Sequence, residues 1–311
     1  MAFEPFTVPP QLHGTLPALV TPLTPQRRLA LDDTATLVHR AIDEGANGVL
    51  VAGSTGEGAL LDPELRVALT ERARVELDNR PQGDADPTPL LVAGACASTL
   101  AGLHADVSRL AAAGADVVLV LAPATYPLRS HELEALHLDI AERAEAPTLI
   151  YHIPQITGSS LEPEAVDRLA AHERIIGMKD SSPDAQRRAR FVAAAERATG
   201  SFAVVSGHAP TLRDALEAGV TGSILAVANV RQRQAVGLHA AVAAGDQERA
   251  GELQRRLTAT TEGLQRVGRS TQAALKASLQ LEGVIAERWC VPPLDSVPPD
   301  QLDLVRTAML S

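Results

Sequence analysis

Lys179 and Lys276 are the only lysines in a chain whose 28 basic residues are otherwise all arginine. Either residue can serve as a surface charge, but lysine alone can lose its proton when desolvated, and its free amine can attack a carbonyl. Lys179 closes the apolar run 175–179 inside "RIIGMKDSSPD", which reads as a buried strand. That placement raises covalent catalysis through an imine. Tyrosine is also scarce: Tyr151 closes the run 148–151, and Tyr126 follows the run 117–121. Lys276 lies instead in "STQAALKASLQLEG", where the pattern is helical and a salt bridge on the helix surface or at an interface is its expected role.

For these groups to act together, a scaffold must gather the strand ends. Short, nearly continuous apolar runs at 15–20, 48–52, 90–93, 117–121, 148–151, 175–179, 203–206 and 222–225 read as parallel strands covered on both faces. Between them lie segments of helical period at 33–44, 63–77, 99–113, 131–144, 162–171, 184–198 and 210–218. "LDPELRVAL" and "LEPEAVDRL" open helices with Pro in the first turn. "EGANGVLV", "AAGADVVLV" and "EAGVTGSIL" each end a helix with Gly before a strand. Eight such units predict an α/β fold, a (β/α)8 TIM barrel. An open doubly wound sheet is the alternative, but no G-x-G-x-x-G follows the first strand. The barrel is expected over residues 1–229. Residues 230–311 read as a helical extension packed on it, with helices at 231–243, 247–267, 272–281 and 301–309.

Composition narrows the function. The chain is 45% hydrophobic but only 2% aromatic, so its core must be Ala, Val, Leu and Ile. A formal charge of −10 argues against nucleic acid or an anionic membrane as a partner. Cys96 and Cys290 form neither a disulfide framework nor a metal-ligand spacing, and the nine histidines contain no H-x-x-x-H pair, so no metal is expected. "MAFEPFTVPPQLHG" lacks the basic start and apolar core of a signal peptide, and no apolar run reaches the ~18 residues needed to span a bilayer. A cytoplasmic protein is the expectation.

Reactive groups in such barrels sit at the carboxyl ends of strands. Those ends read "GSTGEGALL" after strand two, "APATYPL" after four, "YHIPQITG" after five, "KDSS" after six and "SGH" after seven. With these motifs in this order, the sequence resembles the class I aldolase family that contains N-acetylneuraminate lyase and dihydrodipicolinate synthase. The matching stretches are Gly53-Ser54-Thr55-Gly56-Glu57, Tyr151-His152-Ile153-Pro154 through Thr157-Gly158, Gly177-Met178-Lys179-Asp180, and "GVTGSILAVANV" at 219–230. The resemblance runs from about Gly14 to the C-terminus.

The resemblance implies that Lys179 forms a Schiff base with pyruvate or a 2-keto acid, so that the carbon–carbon bond beyond it breaks or forms through an enamine. No metal or organic cofactor is needed. Desolvation at the barrel mouth would keep the amine nucleophilic. Tyr151 would be the general acid/base. Ser54 and Thr55, with Gly53, would hold the keto-acid carboxylate through hydroxyls and backbone N–H groups. Glu57 would fasten that loop without reacting. In the family, a tyrosine after strand four can enter the neighbouring subunit's site as a proton relay. Here the ungapped position is Thr125, and Tyr126 follows one residue later, so either Tyr126 serves through a shifted backbone or the relay is altered. A homotetramer, built as a dimer of dimers, is the family expectation.

Departures from the pattern bear on substrate. Dihydrodipicolinate synthases usually carry Arg where this chain has Gln155, which offers no charged fork for a second carboxylate. Sialic acid lyases place acidic residues after the strand-seven glycine, whereas Gly207 here precedes His208-Ala209-Pro210. His152, Gln155, Ser181 and His208 remain as polar contacts for a distal pocket, with Ile224 on strand eight as a further lining residue. Such a pocket suits a short 2-keto-3-deoxy sugar acid, or pyruvate with a modest aldehyde. The alternatives are dihydrodipicolinate synthase, a dehydratase using the same imine, or a non-catalytic keto-acid sensor, since fold does not fix function.

Overall fold

Runs such as Val117–Leu121 carry no polar side chain for either face, so they are stable only where both faces are covered. The computed structural model describes residues 6–80, 88–198, 202–267 and 269–310; the first five residues of the N-terminal stretch read above lie outside them. Eight strands satisfy that requirement: β1 (Thr15–Pro17), β2 (Gly48–Val51), β3 (Leu90–Cys96), β4 (Val117–Leu121), β5 (Thr148–His152), β6 (Ile175–Asp180), β7 (Ala203–Ser206) and β8 (Gly222–Leu225). They pair in parallel in the order β1-β8-β7-β6-β5-β4-β3-β2. A bridge between Ala18 and Leu50, with the Leu19 N–H donating to the Leu50 carbonyl at 2.8 Å, joins the two ends. The result is a nearly closed (β/α)8 barrel and not an open sheet.

Alternation along the strands divides the core. Leu16, Leu50, Val92, Leu119, Leu149 and Val205 fill the barrel, whereas Val49, Val51, Leu91, Val118 and Val120 face the helices outside. Gly45, Gly114 and Gly219 take φ of 90°, 94° and 92° just before β2, β4 and β8. A side chain at any of them would be strained, which is why the three helix ends anticipated from the sequence carry glycine. β3 runs three residues past its apolar signal because Gly94 and Ala95 weaken the pattern without preventing pairing to β4. A short helix at Pro154–Thr157 is not anticipated by periodicity.

Helices Gln247–Arg266, Thr271–Leu281 and Leu302–Leu310 follow the helix Ala228–Ala243 and pack with it through Leu238, Leu253, Leu257, Leu275 and Val305. Lys276 forms the salt bridge expected of it, but in the interior and not on the helix surface. It is wholly buried, and its Nζ lies 2.6 Å from Glu57 Oε1 and donates to the Trp289 carbonyl at 2.8 Å. The helix Thr271–Leu281 is pressed against the loop after β2, so a carboxylate of that loop replaces the water a surface lysine would have. Among the described residues, no helix is long and apolar enough to cross a membrane.

A second buried pair braces the same loop. Arg66 donates to Asp106 at 2.9 Å and to the Gly58 carbonyl at 3.0 Å, while Asp106 also accepts the Cys96 N–H at 2.9 Å. Removing one partner leaves an uncompensated buried charge, so Asp106→Ala is expected to cost about 3–5 kcal/mol. Urea unfolding of the variant reads this directly, and a loss below about 1 kcal/mol would refute it.

Candidate active site

Lys179 reaches the barrel interior through an irregularity in β6. Thr148 pairs with Ile175, but Leu149 pairs with Gly177, so Ile176 is an extra residue on the β6 side. Ile175 and Met178 accordingly pack outside the barrel while Ile176 packs inside. Such a bulge reverses the phase of everything after it. Lys179 therefore turns inward, 4% exposed, with Nζ 4.4 Å from the ring centroid of Tyr151 on the neighbouring strand. Gly207 makes room for it: a Cβ there would lie 2.9 Å from Lys179 Cε and 1.9 Å from Ser181 Oγ.

The loop after β2 brings Ser54 and Thr55 to the same cavity. Ala52 and Glu57 flank the turn in left-handed conformations, φ 53° and 60°. Such strain persists only where neighbours hold the backbone. Here Thr21 Oγ1 donates to the Gly56 carbonyl at 2.6 Å, and Gln272 Nε2 donates to the Ser54 carbonyl at 2.9 Å.

Behind the site, Asp180 points outward from β6, where Arg188 Nε donates at 2.8 Å and His152 Nδ1 lies at 2.8 Å. Burial alone would push the Asp180 carboxyl up; the His152 hydrogen bond and charge, then Arg188 and Ser182, hold it below the ordinary value. This contribution is complete above the unfolded carboxyl value, ~4, and is lost as pH falls through the folded one. The network fixes the end of β6 immediately after Lys179.

One cavity of about 230 Å3 is lined by Lys179, Tyr151, Ser54, Thr55, Gln155 and Ser181, with His208 and Ile224 beside them. Gly53 lies beneath, in a small cavity shared with Ser54 and Tyr151. One residue expected near substrate is elsewhere, and the two relay candidates, expected to serve a neighbouring subunit, do not line this chain's own cavity. His152 alternates to the opposite face of β5 from Tyr151, where it packs edge-on against Phe191 with centroids 5.2 Å apart. Thr125 and Tyr126 stand outside the cavity on an exposed loop, Tyr126 being 77% exposed. Conversely, Thr261, Gln265, Thr271 and Gln272 of the C-terminal helices line the distal wall. Their amides and hydroxyls carry no local signal of a site, because only tertiary packing brings those helices over the barrel mouth.

Apart from Lys179, the lining residues among those described include no lysine, arginine, aspartate or glutamate. Gln155 spends its amide on the Ser181 carbonyl at 2.8 Å. His208 Nδ1 is 2.9 Å from Thr211 Oγ1. Burial, and then the charge of Arg188, push its imidazole below the ordinary value, which favours the neutral form.

A barrel that seats a buried lysine and tyrosine at adjoining strand ends, over a Gly-Ser-Thr-Gly turn, has the layout of a class I aldolase. The chain belongs to the dihydrodipicolinate synthetase family, whose model matches residues 11–310, and it is a lyase. An uncharacterised DapA-like lyase of Halobacterium salinarum is 32% identical over 88% of this chain and 85% of its own length. A 4-hydroxy-tetrahydrodipicolinate synthase of Methanopyrus kandleri is 30% identical over 95% of both. The crystal structure of dihydrodipicolinate synthase from Thermotoga maritima superposes with a TM-score of 0.87 at 28% identity, covering 96% of this chain and 97% of that one.

Proposed function

We propose that the protein is a pyruvate-dependent lyase that works through a Schiff base on Lys179. The observation that carries the reading is the convergence of Lys179, Tyr151, Ser54 and Thr55 on one cavity, with the lysine amine 4.4 Å from the tyrosine ring centroid. The neutral amine adds to the keto carbon, and loss of water with uptake of one proton gives the protonated imine. In the cleavage direction the C4 hydroxyl gives up its proton, the C3–C4 bond breaks, and its electrons pass into the enamine. An aldehyde leaves. Protonation of C3 and hydrolysis then release pyruvate and restore the amine. Tyr151 carries the proton between the substrate oxygen and the bound carboxylate, while Ser54 and Thr55 hold that carboxylate.

The distal wall favours a neutral, hydroxyl-bearing partner. Amides, hydroxyls and a neutral imidazole can bond sugar hydroxyls, but they cannot offset the charge of a second carboxylate. A short 2-keto-3-deoxy sugar acid is therefore the preferred substrate. Condensation of pyruvate with aspartate semialdehyde is the second reading, favoured by the names of relatives such as that of Methanopyrus kandleri. A cytoplasmic setting belongs to the same proposal. Exposed Tyr126, on the loop after β4, suits a contact with a second copy in a homotetramer, where it or Thr125 would complete a proton relay; light scattering on the intact protein reads the assembly.

The test is incubation with pyruvate and borohydride, followed by peptide mapping. A reduced pyruvyl adduct on Lys179 is expected. No adduct, or one on Lys276, would overturn the mechanism and bring the keto-acid sensor forward. Turnover of aspartate semialdehyde in preference to any 2-keto-3-deoxy acid would overturn the substrate assignment alone.

A further inference from the structure

The loop bearing Ser54 and Thr55 is held on two limbs. Its far limb, Gly58 to Leu61, is gripped by Arg66, which is itself paired to Asp106. Its near limb depends on the C-terminal helices. Glu57 is 3% exposed and sits at φ 60°. Its carboxylate pairs with Lys276 at 2.6 Å and accepts the Val291 N–H, while Lys276 also donates to the Trp289 carbonyl. Gln272, one turn before Lys276 on the same helix, donates to the Ser54 carbonyl at 2.9 Å. Neither Glu57 nor Lys276 lines the cavity.

We propose that the Glu57–Lys276 pair, together with Gln272, is a positioning device that sets Ser54 and Thr55 for the keto-acid carboxylate. This rests on the pyruvate reading given above. A charged residue in a left-handed turn is held there only while its partners are in place. A carboxylate buried without its cation must draw in water or shift, and the backbone one to three residues earlier shifts with it. The device makes the C-terminal helices part of the binding site for the reacting end of the substrate, in addition to their place on the distal wall. Lys276 thus acts on the reaction through Glu57 and the loop, with no contact to substrate.

Three variants of the full chain separate positioning from bare structural support: Lys276→Met, the double variant Glu57→Gln/Lys276→Met, and Gln272→Ala. For each, the unfolding midpoint is measured alongside the pyruvate concentration that half-saturates borohydride trapping on Lys179. Lys276→Met should lower the midpoint. The double variant removes both charges and should recover most of that midpoint. Its half-saturating pyruvate should nevertheless stay raised about tenfold, since the carboxylate's charged hydrogen bonds are gone, with the trapping rate at saturation little changed. Gln272→Ala should raise half-saturation about threefold or more with the midpoint unmoved. If the double variant does not fold, Gln272→Ala decides by itself. Folded variants that half-saturate like the natural protein would refute the inference while leaving the imine intact. Failure of the natural protein to trap pyruvate would instead remove the reading beneath it.

Discussion

Lys179→Arg is expected to abolish the borohydride-trapped pyruvyl adduct and to reduce turnover by roughly 10^4-fold or more, the scale seen when a covalent nucleophile is removed. Arg keeps the positive charge but never presents a free amine, so the covalent route is closed while the local charge survives. The fold should tolerate the change, because the end of β6 is fixed mainly by Asp180, Arg188 and His152 on the opposite face of the strand. Intact mass after reduction and a steady-state assay on the same preparation read both effects. An Arg variant that turned over at even a few per cent of the natural rate would show that the chemistry does not pass through an imine on this residue.

Tyr151→Phe should separate the two halves of the cycle. The ring, which packs inside the barrel with Leu149 and Ile153, is retained, so the cavity keeps its shape and Lys179 keeps the face it lies against. Only the hydroxyl is lost. Turnover is expected to fall by about 10^2–10^4-fold, the usual worth of a positioned general acid/base, because the substrate oxygen has lost its proton carrier. The pyruvyl adduct should still accumulate, more slowly, when borohydride is present. Separate measurement of single-turnover trapping and steady-state turnover distinguishes these steps. Full turnover in the Phe variant would assign the proton transfer to another group, and Tyr126 or Thr125 of a neighbouring copy would be examined next.

The buried pairs follow a different logic from the reactive groups. Arg66–Asp106 and Glu57–Lys276 both lie away from the cavity lining, yet both end on the loop after β2. Their partners come from sequence positions 40 and 219 residues apart, so local pattern gives no hint that they meet. Lys276 illustrates the point: its helical period is plain, but which face of that helix is dry depends on what the helix packs against.

The eight strands were legible because parallel strands covered on both faces need continuous apolar runs, and Val117–Leu121, Ala203–Ser206 and Gly222–Leu225 appear where those runs lie. Helix ends were legible at Gly45, Gly114 and Gly219, because only glycine takes their φ without strain. The scarcity of lysine and tyrosine marked Lys179 and Tyr151 before any geometry was known, and strand-end placement brought them to one rim. Tertiary structure alone decided the rest. An extra residue in β6 turns Lys179 into the barrel, a matter of register between strands that periodicity within one strand cannot express. Strict alternation on β5 sends His152 outward into the Asp180 network, although the motif writes it beside Tyr151. The distal wall of Thr261, Gln265 and Gln272 exists only because helices beyond the barrel fold back over its mouth. Sequence encodes what each segment must bury; which polar groups then meet is set by the packing of segments far apart in the chain.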